Sequence, residues 1–448
     1  MQPTILIGNT VSQILGGSPT LHRALAKVLS YEVQGSFFAR RASPYWDGRV
    51  KHLNKDGFFP TGLLSLVTNF LGKKSVPFSI KDGRIAPEPS CKFDINLPWP
   101  PRYFQNDATE LTDTVARGVF NIGVGGGKST IAGMIAQRRA VPTLVVTPDT
   151  GLREQILASF IEWFGKKKVA TTVVSDRPIV ICNIQSLVNK DPKFFKRFKL
   201  LIIDEFHHSA SKSYQTLNKW CSEAYYRYGL TGTFMRSDGS DMTMHGVLSE
   251  IIFKKSASDL IEEGFLVRPY ITIFRYEIPK MRMNYQDAYN YMIREPEFNN
   301  LIARIALSKV ADKKQTLVLV RRKEHGRVLN DLIRGSTYLS GDDSEERRES
   351  VKKDFINKKL NPLIATNIFG EGIDIPSIDS LINARLQKTE IQTVQGIGRA
   401  LRKSDGKDCA EVADFLIVGQ KHLQAHSVER IQSYKKEKSF VISLKKAN

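Results

Sequence analysis

Two separate stretches of this chain carry the same alternation of short aliphatic runs and helical patterns. TLVVTP, IVICN and KLLIIDE mark it in the first stretch; TLVLV, STYLSG, PLIAT, SLINA and ADFLIV mark it in the second. Runs this short and this continuously apolar are buried on both faces, as parallel strands joined by helices are. The chain is therefore expected to be α/β, with two parallel sheets in series. Residues 1–97, closed by the proline-rich INLPWPPRYF, read as a small N-terminal α+β domain. Residues 98–265 carry the first sheet. LIEEGFLVRPYI connects to the second, in residues 266–448, which end in the basic tail SYKKEKSFVISLKKAN.

Charge narrows the choice of partner. Lys and Arg number 66 against 46 acidic residues, a formal net charge of +20. Such an excess steers polyanions and speaks for nucleic acid, while leaving DNA, RNA and an acidic protein surface open. No apolar run approaches the roughly 20 residues that span a bilayer, and MQPTILIGNTV has no signal-peptide pattern. A cytoplasmic protein without a membrane partner is expected. Cys91, Cys182, Cys221 and Cys409 are scattered, without C-x-x-C spacing, which argues against a disulfide framework or a zinc cluster. His422 and His426, four residues apart, have no further ligands nearby and read as solvated or packed.

NIGVGGGKST, residues 121–130, ends as a phosphate loop does, but Ile122 stands where the strict G-x-x-x-x-G-K-[ST] pattern has its first glycine. An apolar run precedes the glycines, and Ile131, Met134 and Ile135 follow at helical spacing. Strand, glycine loop and helix N-terminus together bring backbone amides to phosphate. Gly123, Gly125, Gly126 and Gly127 permit close backbone approach. In this reading Lys128 reaches the β- and γ-phosphates, Ser129 ligates Mg²⁺, and Thr130 follows in the same turn. A second buried run, Leu200 to Ile203, ends in Asp204 and Glu205. At the carboxyl end of a parallel strand, Asp204 suits Mg²⁺ and Glu205 suits the attacking water. One of His207 and His208 is expected to relay contacts at this site.

The ordered set of motifs resembles the DExH helicases of superfamily 2. DEFH resembles their DExH box, PRYFQ the adenine-reading element with Gln105, and VVTPDTGLREQ and NIQSL two strand-contact motifs. GLTGT, LVLVRRKEH, ATNIFGEGIDIP and QGIGRALR resemble the remaining motifs over about residues 100–420. The resemblance implies two tandem RecA-like domains that bind ATP and Mg²⁺ and cycle between closed and open. It implies Arg399 and Arg402 as arginine fingers, and Gly372 and Asp374 near the ribose. Thr231 and Thr233 are implied as coupling residues, and Thr147, Arg153, Gln185 and Thr366 as strand contacts. Such loops often keep only the later glycines, so Ile122 is an acceptable departure.

Residues 36–62 interleave Arg40, Arg41, Arg49 and Lys51 with Tyr45, Trp46, Phe58 and Phe59. Basic and stacking side chains suit strand or junction binding, and aromatics also suit the core of a small domain. Arg40, Arg41, Trp46 and Arg49 are the candidate DNA contacts. YWDGRVKHLN and GFFPTGLL are similar to the N-terminal region of UvsW-type phage recombination helicases. That resemblance implies an ATP-driven enzyme that unwinds and branch-migrates forked DNA and Holliday junctions with 3′→5′ polarity, working as a monomer. An RNA-unwinding ATPase and a non-unwinding ATPase subunit of a restriction or repair complex remain as alternatives.

Overall fold

The computed structural model describes residues 2–33, 36, 46–232, 241–366, 378–387, 401, 403 and 406–447, with the side chain of residue 208 excepted. The chain divides into two compact units. The first holds residues 1–122 and 127–254, and the second holds 255–448 together with 123–126. No helix among the described residues is long and apolar enough to cross a membrane.

The first unit begins with a small sheet of four strands, ordered β5-β2-β1-β6. Here β1 is Thr4–Ile7, β2 Val11–Leu15, β5 Phe58–Pro60 and β6 Ser79–Asp82. β1 runs antiparallel to β2 and parallel to β6. A hairpin of β3 (Ser30–Glu32) and β4 (Arg49–Lys51) lies between them in sequence. The core of this part gathers Ile5, Ile14, Leu25, Phe59, Leu63 and Leu71. Phe59 therefore answers to packing, while Phe58, its neighbour on the alternating strand, is 40% exposed.

The same unit continues into a seven-stranded sheet ordered β13-β7-β12-β11-β8-β10-β9. The ranges are β7 Arg117–Ile122, β8 Thr143–Thr147, β9 Val169–Ala170, β10 Ile179–Asn183, β11 Leu200–Ile203, β12 Tyr226–Thr231 and β13 Ile251–Lys255. From β7 to β9 every neighbouring pair is parallel. β11 sits centrally, with Ile203 opposite Val146 on one side and Gly229 on the other. That register lines up the carboxyl ends of β8, β11 and β12, where the motif residues follow. Ile122 closes β7 fully buried, so a glycine there would deprive the core of a side chain and weaken the strand.

The small sheet is seated on the helix Asp241–Val247. Tyr31 and Thr243 hydroxyls lie 3.0 Å apart, Thr243 also meets His52 Nε2 at 3.3 Å, and Asn9 Nδ2 donates to Ser222 O at 3.1 Å. The approach is closest at Gly62, where a Cβ would stand 2.0 Å from the His245 carbonyl oxygen. Gly62→Ala must therefore push backbone apart. We expect it to destabilise this unit by about 1–3 kcal/mol. Gly72→Ala, with nothing within 4 Å of its added carbon, should be neutral or stabilising. Thermal unfolding of the two variants checks the contrast, and equal midpoints would refute the seat.

The second unit is built on a wholly parallel sheet ordered β16-β17-β15-β18-β19-β14-β20. Its strands are β14 Arg268–Glu277, β15 Thr316–Leu319, β16 Thr337–Leu339, β17 Leu363–Ala365, β18 Ser380–Asn383, β19 Cys409–Val418 and β20 Val441–Lys446. One face carries a core of Val318, Ile364, Ile382, Phe415, Phe298 and Leu423. Beside it lies a buried polar network. Asp414, 1% exposed, accepts from Arg430, equally buried, at 3.0 Å and from Asn383 Nδ2 at 2.9 Å. Tyr434 Oη donates to the same carboxylate.

Candidate nucleotide and nucleic-acid sites

Lys128 is the first residue of the helix Lys128–Arg139, which follows Gly127 in a left-handed turn at φ 79°. Gly125 is also left-handed at φ 82°, and Gly126 N closes a turn on Gly123 O at 3.0 Å. A side chain at Gly127 would place its Cβ 2.3 Å from Gln105 Nε2. Gln105 is 3% exposed, and its Oε1 accepts from Arg102 N at 2.9 Å. The predicted adenine reader thus packs directly against the last loop glycine. Ser129 and Thr130 occupy the first helical turn, whose amides have no intrahelical acceptor and favour an anion.

Facing this turn is the end of β11. Lys128 Nζ donates to Glu205 Oε1 at 2.8 Å, and the two side chains are 14% and 16% exposed. Glu205 adopts left-handed backbone at φ 45°, a strained conformation for a residue with a Cβ. His207 Nδ1 stands 3.4 Å from Glu205 Oε2 and 3.3 Å from Thr231 Oγ1. His207 and Thr231 are buried, so a continuous polar path runs from the acidic pair to the end of β12. Burial opposes ionisation of Glu205, but Lys128 and His207 outweigh it and hold its carboxyl below the usual range. Asp204 moves the other way: burial, reinforced by the Glu205 charge, pushes it up to about 7.

The residues beside this turn fit Mg²⁺. Asp204 Oδ1 is buried and has no hydrogen-bond partner among the described residues, and Asp149 Oδ2 is in the same condition. An orphaned carboxylate oxygen beside a helix that opens with Lys128-Ser129 suits a hard cation with oxygen ligands. Asp149 is a residue that the sequence alone does not single out. It caps the helix Thr150–Phe164 by accepting from Leu152 N at 2.9 Å, and its charge helps to raise Asp204. Its only sequence signal is an acid after TP in VVTPDT.

The strand-contact candidates fall in different settings. Thr147 is fully buried and donates to Asp149 O at 2.9 Å. Arg153 pairs with its neighbour Glu154. Gln185 is exposed and helps to line a cleft of about 210 Å³ with Pro148, Ile184, Ser211 and Tyr214. Thr366, in the second unit, is 7% exposed, with its amide on Leu339 O. Trp46 Nε1 donates to Arg49 O at 3.1 Å, and Arg49 donates to Ser30 Oγ at 3.1 Å, so both brace the β3–β4 hairpin. Arg40, Arg41, Thr233, Gly372, Asp374, Arg399 and Arg402 lie outside the described residues.

Comparison with known proteins agrees with this geometry. The family described as type III restriction enzyme, res subunit, matches residues 99–236, and the helicase conserved C-terminal domain matches residues 297–404. The chain is an ATP-dependent helicase. Over nearly its whole length it is similar to the ATP-dependent DNA helicase UvsW of Enterobacteria phage T4, at 25% identity across 94% of each chain. The protein described as probable helicase D10 of Escherichia phage T5 is 27% identical over 67% of this chain and 68% of its own. The DNA 3′–5′ translocase XPB2 of Sulfurisphaera tokodaii is 25% identical over 71% and 81% respectively. The crystal structure of phage T4 UvsW has the same fold, with a TM-score of 0.51 and 22% identity over both complete chains.

Proposed function

We propose that this helicase acts on branched DNA, separating and migrating strands at forks and four-way junctions with 3′→5′ polarity. The observation that carries the reading is the similarity to a DNA helicase across 94% of both chains, which takes in the small N-terminal sheet as well as the motor. The net charge of +20 is of the sign that a polyanionic substrate requires. Polarity rests on the resemblance to UvsW-type enzymes and on the relative that is itself a 3′–5′ translocase. Residues 36–62, with Arg40, Arg41, Trp46 and Arg49, are the proposed junction contacts; Thr147, Arg153, Gln185 and Thr366 are the proposed strand contacts.

ATP and Mg²⁺ are the proposed cofactors. The loop glycines with Lys128 and Thr130 would hold the phosphates, Gln105 the adenine, Ser129 and Asp204 the metal, and Gly372 and Asp374 the ribose side. The metal would supply charge to neutralise the phosphates. Lys128 has two alternative anions, the Glu205 carboxylate and a phosphate. When it turns to phosphate, Glu205 loses its strongest stabilising charge, becomes more basic, and can take a proton from water. His207 carries that change to Thr231, and Thr233 lies two residues further on. Arg399 and Arg402 are proposed to stabilise charge on the transferring phosphoryl group.

The test is an ATP-dependent strand-separation assay on linear duplex, fork and four-way junction, with an RNA fork alongside. We expect the two branched DNA substrates to be processed several-fold faster than the linear duplex. ATP turnover stimulated by RNA alone would overturn the DNA reading. Turnover without strand separation would leave an ATPase that remodels something else.

A further inference from the structure

A cleft of about 880 Å³ opens on the second unit, between the connector after β14 and the helix Lys421–Lys435. Two contacts build it. Gly419, at φ 110°, carries no Cβ and could carry none, because that atom would lie 2.0 Å from the Ile278 carbonyl oxygen. Strand ends β14 and β19 are thereby held together. Gln420, 1% exposed, caps the helix by accepting from Leu423 N and donates from Nε2 to Met283 O at 3.0 Å. The connector is thus fixed to the helix N-terminus rather than left to move over it.

Its lining carries Lys280, Arg282 and Lys421, all exposed, against one acid among the described residues, Glu429. None of the three cations has an ion-pair partner among the described residues. The amide end of the 15-residue helix opens on the same side and adds a further preference for anions. Met281 and Val428 supply apolar surface that suits sugar rather than charge. Among the described residues, the lining contains no aromatic side chain. Sites that hold unpaired strands combine basic grooves with aromatic platforms on which bases stack. Two tyrosines that follow the connector are engaged elsewhere: Tyr285 and Tyr289 lie against the Arg321 guanidinium, and Tyr289 is buried.

We propose that this cleft grips the sugar–phosphate backbone of double-stranded DNA, holding one duplex arm of the substrate while the motif residues act on a strand. The proposal rests on the nucleic-acid reading above and deepens it by naming the duplex arm and the residues that hold it. Contacts to backbone phosphates position without reading sequence, as suits an enzyme that travels.

The experiment uses the full chain and the triple variant Lys280→Gln/Arg282→Gln/Lys421→Gln. Binding to a blunt duplex and to a single-stranded oligonucleotide is measured against salt concentration. Every cation withdrawn from a phosphate flattens the log–log slope for duplex by about 0.9, so the variant should flatten it by about 2–3 and bind duplex more weakly. Single-strand binding and ATP turnover without DNA should be unchanged, which also shows the variant to be folded. A wild-type chain that binds duplex, with a variant of the same slope and affinity, overturns the cleft alone and points to an acidic protein partner. A wild-type chain that binds no DNA overturns the function proposed above and the cleft with it.

Discussion

Lys128→Ala will fold, bind nucleic acid and turn over ATP slower than wild type by roughly 10²–10³-fold. That is the range seen when one preorganised charge is taken from a developing phosphate or oxyanion. The expectation follows from position. Lys128 opens a helix whose first-turn amides already favour anions, and its ammonium is within 2.8 Å of the Glu205 carboxylate. Alanine removes the charge without touching the backbone, since it is the best helix former. Glu205 keeps His207 as a partner, so the polar path to Thr231 survives in part. Steady-state phosphate release with and without a DNA fork measures the effect. Turnover within a few-fold of wild type would mean that Lys128 serves Glu205 and no phosphate.

Asp414→Ala should be the most damaging single change to the second unit. Arg430 would remain buried with its countercharge gone, a situation that costs about 3–5 kcal/mol. Asn383 and Tyr434 lose the same acceptor, which adds to the penalty. At ordinary urea sensitivities the midpoint should fall by roughly 1–2 M. All four tryptophans, Trp46, Trp99, Trp163 and Trp220, belong to the first unit. Tryptophan fluorescence should therefore change little while far-ultraviolet circular dichroism shows the early transition. The double change Asp414→Leu/Arg430→Met should recover much of the loss, because neither charge is then left buried. A single variant as stable as wild type would show that solvent reaches the arginine.

The alternation of apolar runs predicts two parallel sheets, and both are present, because strands buried on two faces leave a continuous signal in sequence. Asp204 and Glu205 are legible for the same reason: they end such a strand, where β11 lies between β8 and β12. Pairings between distant residues are not. Lys128 and Glu205 stand 77 positions apart, and nothing local says that one touches the other. Gly127 reads as a residue for close phosphate approach, yet the space beside it also receives Gln105. Asp149 is not singled out by the sequence; it caps a helix, and only the folded sheet reveals its second oxygen as buried and without a hydrogen-bond partner among the described residues. Asp414 and Arg430 leave no trace in the sequence, since a buried ion pair looks like two surface charges until the packing is known.

The seat of Gly62 against His245 has an engineering corollary. The N-terminal sheet and the helix Asp241–Val247 form one seam, although some 180 positions of chain separate their two sides. Anyone exchanging the first hundred residues for those of another helicase would transplant one half of a lock. A working chimaera has to bring its own version of Asp241–Val247, so the heritable unit here is discontinuous along the polypeptide.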